Sequence, residues 1–295
     1  MRRWSVRTHL AGLLALALAA CTRGERAPAG GGRTVTDDAG RPVALAAPAR
    51  RIVSLSPSFT EILFAVGAGN RLVGRTAWCD YPPAALAVPS VGDGMPPNVE
   101  AVAARRPDLV VLYRSGPNAT AAQQLERLGI RTVLFDLNRL EDLGPAARRL
   151  GVLTGRRAAG DSLARAMDSL ASQPLIPGPR SLAFIVWDNP PIVIGAGSYL
   201  DQLAGLAGAR NVFHDIRTPS AQVSIETIAA RQPDFIAVLS DTAARPPYAD
   251  RPEWRVVTAV RQGRFLFLPG RLFGRPGPRA AEAVRELRRR LETAP

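Results

Sequence analysis

Residues 98–111 of the chain read NVEAVAARRPDLVV, and residues 224–237 repeat the same pattern as SIETIAARQPDFIA. Six of the 14 positions are identical, and the two copies lie 126 residues apart. The repeats of a solenoid are far shorter than this spacing. The sequence therefore predicts two related lobes within one chain.

Each copy of this repeat predicts a helix that leads into a buried strand. A capping residue comes first, a proline stops the helix, and an apolar run typical of a parallel strand follows. Each copy also places one glutamate, Glu100 or Glu226, in the first helical turn. A negative charge is favourable at a helix N-terminus on its own account. Because Glu100 and Glu226 occupy equivalent positions in the two lobes, each could equally make one acidic contact with a two-lobed partner.

Strand and helix patterns alternate on both sides of a central segment, which predicts an α/β fold with mostly parallel sheets. We predict an N-terminal α/β lobe at 34–138, a connecting helical segment at 139–178 and a C-terminal α/β lobe at 179–295. Within the connecting segment, the helical pattern of 156–172 predicts a stiff link between the lobes. Further local predictions are a hairpin at 34–45, loops at 211–223 and 269–278, and a helix at 253–260.

The first 20 residues have the pattern of a targeting signal, with three arginines followed by a short apolar stretch. Cys21 comes directly after two alanines, which is typical of a bacterial lipoprotein signal whose cysteine is lipidated. An ordinary secretory signal with an incidental cysteine is the alternative. Residues 21–33, rich in Gly, Ala and Arg, predict a flexible tether to the membrane.

Composition excludes several classes of function. The net charge is +13, yet the arginines are dispersed along the sequence and no basic run is interleaved with aromatic residues. Nucleic-acid binding is therefore not expected. The histidines are His9, inside the predicted signal, and His214, in a polar loop, so neither a metal site nor a histidine-dependent catalytic apparatus is predicted. Cys79 is expected to be an unpaired structural cysteine.

Aromatic and arginine residues follow several of the predicted strands. Ligands bind at the carboxyl ends of the strands in open α/β sheets. Two facing lobes would bring these residues to one cleft between them. The residues concerned are Trp78, Tyr81, Tyr113, Trp187, Phe273 and Arg275.

These motifs resemble those of the class III periplasmic substrate-binding proteins of ABC importers, which bind cobalamin, ferric siderophores or haem. The resemblance runs from about Val35 to the end of the chain and is strongest to the cobalamin-binding members. Its main carriers are RIVSLSPSFTE at 51–61, CDYPP at 79–83, both copies of the repeat, NVF at 211–213 and GPR at 277–279.

The resemblance implies two α/β lobes joined by one long backbone helix. It implies that Glu100 and Glu226 dock onto arginines of the two permease subunits. It also implies ligand contacts at Trp78 and within 271–275, namely at Arg271, Leu272, Phe273 and Arg275. Leu272 departs from the pattern because an aromatic residue is expected there. Tyr113 and Trp187 are further cleft candidates by the same resemblance.

We therefore expect a monomeric, lipid-anchored binding protein on the periplasmic side of the cell envelope. It would capture cobalamin or a related corrinoid without any resident cofactor and deliver it to an ABC importer. Arg75, Arg114, Arg271 and Arg275 would suit an anionic ferric siderophore instead, and Tyr81 or Tyr113 could ligate a haem iron. An enzyme that modifies a tetrapyrrole in the same cleft is a further alternative, but no base–nucleophile pair supports it.

Overall fold

The computed structural model describes residues 33–242 and 244–294. The predicted signal, Cys21 and all but the last residue of the predicted tether lie outside the described residues. Strands β1 (Arg33–Thr36) and β2 (Pro42–Leu45) form the predicted antiparallel hairpin. Gly40 has a φ of 76° in its turn, a backbone conformation that favours glycine. Strand β1 begins at Arg33, the last residue of the predicted tether.

A four-stranded parallel sheet forms the centre of the N-terminal lobe. Its elements in chain order are β3 (Ile52–Ser54), α1 (Pro57–Ala65), β4 (Leu72–Arg75), α2 (Val99–Ala104), β5 (Leu109–Tyr113), α3 (Gly116–Arg127) and β6 (Arg131–Phe135). The strand order is β4-β3-β5-β6, and every neighbouring pair is parallel. Strand β5 is buried along four of its five residues, as its apolar run predicts.

The connecting segment consists of two helices, α4 (Leu143–Leu153) and α5 (Arg157–Ala171). The chain turns between them at Gly155, whose φ of 65° does not continue a right-handed helix. The helices pack closely, since a Cβ atom on Gly151 would lie 2.9 Å from the Gly160 Cα atom. The single long helix implied by the resemblance therefore corresponds to α5 alone.

A mixed sheet forms the centre of the C-terminal lobe. Its elements are β7 (Ser181–Asp188), β8 (Pro191–Ile194), α6 (Tyr199–Ala207), β9 (Arg210–Asn211), β10 (Ser220–Gln222), α7 (Ile225–Arg231), β11 (Phe235–Leu239), α8 (Thr258–Arg261), β12 (Phe265–Leu268), α9 (Gly270–Phe273) and α10 (Ala280–Thr293). Strands run in the order β10-β8-β7-β11-β12, with β9 beside β7. The β7–β8 and β8–β10 pairs are antiparallel, and the others are parallel.

Three local predictions in this lobe were wrong in detail. The predicted loop at 211–223 contains β10 and the end of β9. Neither strand is longer than three residues, which is too short to show an alternation of apolar and polar residues. The predicted helix at 253–260 is a 3₁₀ turn at Pro252–Val256 followed by α8. The predicted loop at 269–278 contains the four-residue helix α9.

The two lobes share one hydrophobic core. A single cluster of buried residues includes Phe59 on α1, Leu150 on α4, Leu203 on α6 and Leu287 on α10. Separate clusters cover the outer face of each sheet, around Val110 in the N-terminal lobe and in the C-terminal lobe around the residues of β11 and the 3₁₀ turn. Each sheet is therefore covered on both faces, as parallel sheets require.

The repeat has the same backbone structure in both lobes. Helices α2 and α7 are its first halves, and strands β5 and β11 are its second halves. The carboxylate of Asp108 accepts hydrogen bonds from the backbone amides of Arg50 and Arg51, 2.8 and 3.1 Å away. The carboxylate of Asp234 accepts one from the Ser181 amide, 2.7 Å away. Each aspartate thus fixes the start of the neighbouring strand, which explains why it recurs.

Candidate ligand-binding cleft

A cleft opens between the lobes at the carboxyl ends of β3, β4 and β5. It contains a cavity of about 430 Å³ whose walls come mainly from the N-terminal lobe, with Gly274 and Arg275 contributed by the C-terminal lobe. A second cavity of about 300 Å³ also includes Gly274 in its lining and continues toward β8 and α6. This confirms the predicted position of the cleft at the strand ends.

Two large exposed side chains line the first cavity. Trp78 is 62% exposed and Met95 is 67% exposed, although such apolar side chains are normally buried. Gly94 lies between Met95 and Thr76, and a Cβ atom there would meet the Thr76 side chain at 2.5 Å. The cleft thus offers apolar surface on a loop whose path depends on a glycine.

Polar groups lie deeper in the same cavity. The Tyr113 hydroxyl donates a hydrogen bond to the Asn138 Oδ1 atom at 2.7 Å. Burial and the nearby Asp136 carboxylate raise the pKa of Tyr113 above its ordinary value. Asn118 donates through Nδ2 to the Tyr113 carbonyl oxygen at 2.7 Å, which fixes the orientation of its amide. Its Oδ1 atom is buried and has no hydrogen-bond partner among the described residues.

An ion-pair network joins the lobes at the rim of the cleft. Asp80 of the N-terminal lobe bonds to the Arg275 guanidinium and lies 3.2 Å from the Arg271 Nε atom. Burial would raise the pKa of the Asp80 carboxyl, but the hydrogen bond from Arg275 and the charges of both arginines outweigh burial and lower it. Arg271 also lies 3.5 Å from Asp241. The arginines of the rim are therefore neutralised by carboxylates.

A second interlobe ion pair is more deeply buried. The Glu61 carboxylate on α1 accepts two hydrogen bonds from the Arg279 guanidinium, at 2.7 and 2.9 Å. The Glu61 side chain is 3% exposed and that of Arg279 is 16% exposed. The Tyr81 ring lies 3.8 Å from the Arg279 Cζ atom and covers its outer face. Such a bidentate, stacked arrangement suits arginine and no other cation.

Because of the ion pairs of Asp80, we expect the free energy of unfolding to depend on pH. Because the folded-state pKa of Asp80 is lowered, its ion pairs stabilise the protein above the ordinary pKa of 3.8 and are lost as the pH falls through the folded value. We expect the free energy of unfolding of D80N to fall less steeply below about pH 4 than that of the unmodified chain, as measured by urea titration. D93N, at an exposed carboxylate in the same cleft, is the control and should behave as the parent does.

The predicted site residues fall into three groups. Trp78, Tyr113 and Arg275 line the first cavity, and Phe273 lines the second. Arg271 and Leu272 line a separate cavity of about 540 Å³ beside α10. Tyr81 and Trp187 belong to neither cleft cavity. The Trp187 indole, 59% exposed, donates to the Asn189 carbonyl oxygen at 2.8 Å.

Leu272 and Phe273 have buried side chains, so their prediction as ligand-facing residues needs a physical correction. They are 7% and 0% exposed and belong to the shared core. Helix α9 turns these two side chains inward, whereas Arg271 and Arg275 on either side reach Asp80. The backbone of this segment borders the cleft, and its apolar side chains hold it in place.

Sequence reasoning did not single out Glu61, Asp80, Met95, Asn118 or Arg279 as site residues. Three of them lie in the motifs that carried the family resemblance. The charge of Glu61, Asp80 and Arg279 and their position inside these motifs could therefore have identified them from the sequence. Asn118 carries no comparable signal, because an asparagine near a helix start is ordinarily a capping residue.

Glu100 and Glu226 both lie exposed in the first turns of α2 and α7, as predicted. The helix caps are also as predicted, with Asn98 Oδ1 accepting from the Ala101 amide at 2.9 Å and Ser224 Oγ accepting from the Thr227 amide at 3.2 Å. The backbone amide of Glu226 and the Ser224 side chain lower the pKa of Glu226. Both carboxylates are therefore accessible at the surface, one in each lobe.

Cys79 and His214 line neither cleft cavity. Cys79 is fully buried, with its Sγ atom 3.1 Å from Thr76 Oγ1. His214 is exposed, and its Nδ1 atom lies 2.9 Å from the buried Asp201 carboxylate. Within the described ranges, no group of three His, Cys, Asp or Glu side chains is placed to hold a metal ion. No helix there is long and apolar enough to cross a membrane.

Two α/β lobes with a ligand cleft at their strand ends define a two-lobed substrate-binding protein. A family model described as periplasmic binding protein matches residues 52–272, so the chain belongs to that family. This places it in the periplasm or cell envelope as the substrate-binding component of an ABC importer.

Individual relatives agree with this assignment. The vitamin B12-binding protein of Vibrio cholerae is 29% identical over 245 residues, which cover 81% of this chain and 88% of that protein. The crystal structure of the V. cholerae periplasmic vitamin B12 binding protein matches 83% of this chain and 97% of its own, with 26% identity and a TM-score of 0.66. The periplasmic heme-binding protein of Roseiflexus sp. RS-1 matches 82% and 97%, with 25% identity and a TM-score of 0.69.

These findings confirm the predicted family and the two-lobed α/β class. They also confirm that the chain is a binding protein and not an enzyme, because its relatives are binding proteins of transporters.

Proposed function

We propose that the protein captures cobalamin or a related corrinoid in the interlobe cleft and delivers it to an ABC importer. The observation that carries this proposal is the buried Oδ1 atom of Asn118, an acceptor without a partner at the wall of the cavity. Buried polar atoms in proteins are normally hydrogen-bonded, and we infer that a bound ligand supplies the missing donor here. The amide side chains around a corrin ring are donors, whereas the carboxylates of haem and of many siderophores are acceptors only.

The charge balance of the cleft supports a neutral ligand. Although the chain carries a net charge of +13, the arginines that would suit an anionic siderophore are already engaged. Arg275 and Arg271 face Asp80, and Arg114 pairs with Asp136. Arg75 donates to the backbone carbonyl oxygens of Ala85 and Thr76. An anionic ligand would have to displace these partners first.

The two tyrosines proposed for a haem iron are also engaged. The Tyr113 hydroxyl is occupied by Asn138, and its raised pKa disfavours the phenolate that would bind ferric iron. The Tyr81 ring is stacked on Arg279. A corrinoid needs no such axial ligand, and its flat ring would pack on the exposed faces of Trp78 and Met95.

The exposed indole of Trp78 is expected to carry a measurable part of the affinity. We expect W78A to weaken cyanocobalamin binding at least about tenfold, because the variant loses both buried apolar area and the roughly 0.5–1.5 kcal/mol that an aromatic contact contributes beyond that area. Calorimetric titration with cyanocobalamin measures the affinity of each variant. The matched control is W187A, whose indole is equally exposed but lies outside both cleft cavities. Equal loss in both variants would remove Trp78 from the site.

Two finer parts of the proposal concern partners. Glu100 and Glu226 are proposed to dock on permease arginines, one from each lobe. Cys21 is proposed to be lipidated and to hold the protein on a membrane. Mass spectrometry of the mature chain tests the anchor, since an unmodified Cys21 or cleavage at another position would contradict it.

A further inference from the structure

Arginines gather at the amino ends of the N-terminal-lobe strands, opposite the cleft. Arg51 directly precedes β3, and Arg71 directly precedes β4. The Arg51 guanidinium donates to the carbonyl oxygens of Arg105 and Arg106, at 2.5 and 2.8 Å, just beyond the end of α2. We call the whole cluster the basic pole, and its members are Arg33, Arg50, Arg51, Arg71, Arg105, Arg106 and Arg156.

The remaining members are brought in from the hairpin and from the α4–α5 turn. The Arg71 guanidinium donates to the carbonyl oxygens of Ala49 and Thr154, at 2.8 and 2.6 Å. These contacts bring Arg50 and Arg156 close to it. Burial lowers the pKa of Arg71, and the positive charges of Arg156 and Arg50 lower it further. Arg33 reaches the same turn, with its Nε atom 3.7 Å from where a Cβ atom on Gly155 would lie.

Little negative charge offsets these arginines. The guanidinium groups of Arg51 and Arg71 donate to carbonyl oxygens and not to carboxylates. In the described part of the chain, hydrogen bonds bring one carboxylate into the pole, that of Asp108, which accepts from the backbone amides of Arg50 and Arg51.

Helix C-termini attract arginines for purely structural reasons, and α2 and α4 both end here. That explanation accounts for Arg51 and Arg71, whose guanidinium groups donate to carbonyl oxygens. It does not cover Arg50, Arg106 and Arg156, which are exposed and have no side-chain partner among the described residues. These three charges project from the end of the lobe into solvent.

We propose that the basic pole binds the anionic headgroups of a phospholipid membrane and holds the cleft away from the bilayer. This inference rests on the proposed lipid anchor at Cys21. The chain that carries Cys21 enters the fold at Arg33, inside the pole. Cys21 precedes Arg33 by twelve positions, a length of chain that spans at most about 40 Å when fully extended.

The physical chemistry favours this combination. One lipidated residue together with a polybasic surface makes a firmer membrane attachment than either alone. Basic residues close to an anionic surface act within a Debye length, so the contact is reversible and sensitive to salt. Glu100 lies at the opposite end of α2 from Arg106. With the basic pole on the membrane, the cleft would face away from the bilayer while the protein binds ligand. The pole would then release the membrane so that Glu100 and Glu226 can reach the importer.

Co-sedimentation with vesicles tests the proposal directly. Residues 33–295 are used because residues 32–295 form one compact unit that contains every described strand and helix. We expect binding to vesicles that mix phosphatidylglycerol with phosphatidylcholine, and none to pure phosphatidylcholine. About 1 M salt, where the Debye length is roughly 3 Å, should abolish the binding. Equal binding to both vesicles, or no binding to either at low salt, would overturn the proposal.

A charge-reversal variant locates the contact. Each basic residue near an anionic surface contributes about fivefold in affinity, so R50E/R106E/R156E should bind at least about 100-fold more weakly. The matched control is R217E/R255E/R285E, which makes the same charge change at exposed C-terminal-lobe arginines. An equal loss in both would show that net charge, and not the pole, drives binding.

Two further measurements distinguish membrane binding by the basic pole from nucleic-acid binding and from the proposed corrinoid function. Binding of the same chain to duplex DNA but not to the anionic vesicles would assign the pole to nucleic acid and overturn the membrane assignment. Cyanocobalamin affinity of the R50E/R106E/R156E variant should equal that of the parent chain. A failure of the corrinoid proposal would therefore appear in both chains alike, and would leave the vesicle result standing.

Discussion

Replacing Glu61 with alanine is expected to lower the free energy of unfolding by about 3 kcal/mol, because removing one partner of a buried ion pair leaves the other charge uncompensated. The Glu61 side chain is 3% exposed, and the two hydrogen bonds it accepts from Arg279 join α1 to the start of α10. In a domain of this size the loss corresponds to a fall in Tm of roughly 6–12 °C. Urea and thermal unfolding measure it.

Two further variants show whether the pair itself is responsible. E282A removes an exposed carboxylate from the same end of α10 and should change stability little. E61L/R279L removes both charges and should recover much of the loss, since an apolar pair of similar size is often as stable as a buried ion pair. If E61A unfolds at the same urea concentration as the parent chain, the interlobe ion pair does not hold the lobes together.

The double variant E100R/E226R is expected to abolish ligand delivery while leaving ligand affinity unchanged. Both glutamates are exposed in first helical turns, one in each lobe, and neither lines a cleft cavity. Reversing their charge would set arginine against arginine at both proposed permease contacts, and like charges placed together cost several kcal/mol. Uptake of labelled cobalamin by cells or by reconstituted importer measures delivery, and fluorescence titration measures affinity.

The control for this prediction makes the same charge change elsewhere. E253R/E292R alters two exposed glutamates outside the repeat and should retain delivery. Each single variant, E100R and E226R, should retain part of it, because one lobe still docks. Lost affinity in the double variant would mean that these residues belong to the ligand site, and full uptake would mean that the importer docks elsewhere.

The repeat was sufficient to predict the two lobes, because its physical signals are local. A cap, a proline stop and an apolar run each act within a few residues, and α2, β5, α7 and β11 all lie where those signals indicate. The exposed positions of Glu100 and Glu226 follow from the same helix starts.

The rim of the cleft could not be predicted in this way. Asp80 and Arg275 are 195 residues apart in the chain, and Glu61 and Arg279 are 218 apart. No periodicity joins residues at such separations, so the pairs emerge only when the lobes are packed. For the same reason the sequence placed Arg271 and Arg275 against a ligand, while the folded chain places them against Asp80.

The basic pole illustrates the same limit on the opposite side of the molecule. Its arginines come from 33, 50–51, 71, 105–106 and 156, and appear dispersed in the sequence. The amino ends of the parallel strands meet at one edge and bring together Arg50, Arg51, Arg71, Arg105 and Arg106. The hairpin and the α4–α5 turn add Arg33 and Arg156.

Calorimetric titration of residues 33–295 with cyanocobalamin measures directly whether the cleft binds a corrinoid. We predict saturable binding of one ligand per chain, with little competition from haem or from an anionic ferric siderophore. Absence of heat with cyanocobalamin, together with tight binding of haem or of a ferric siderophore, would contradict the corrinoid assignment and show that the rim arginines exchange their carboxylate partners for those of a ligand.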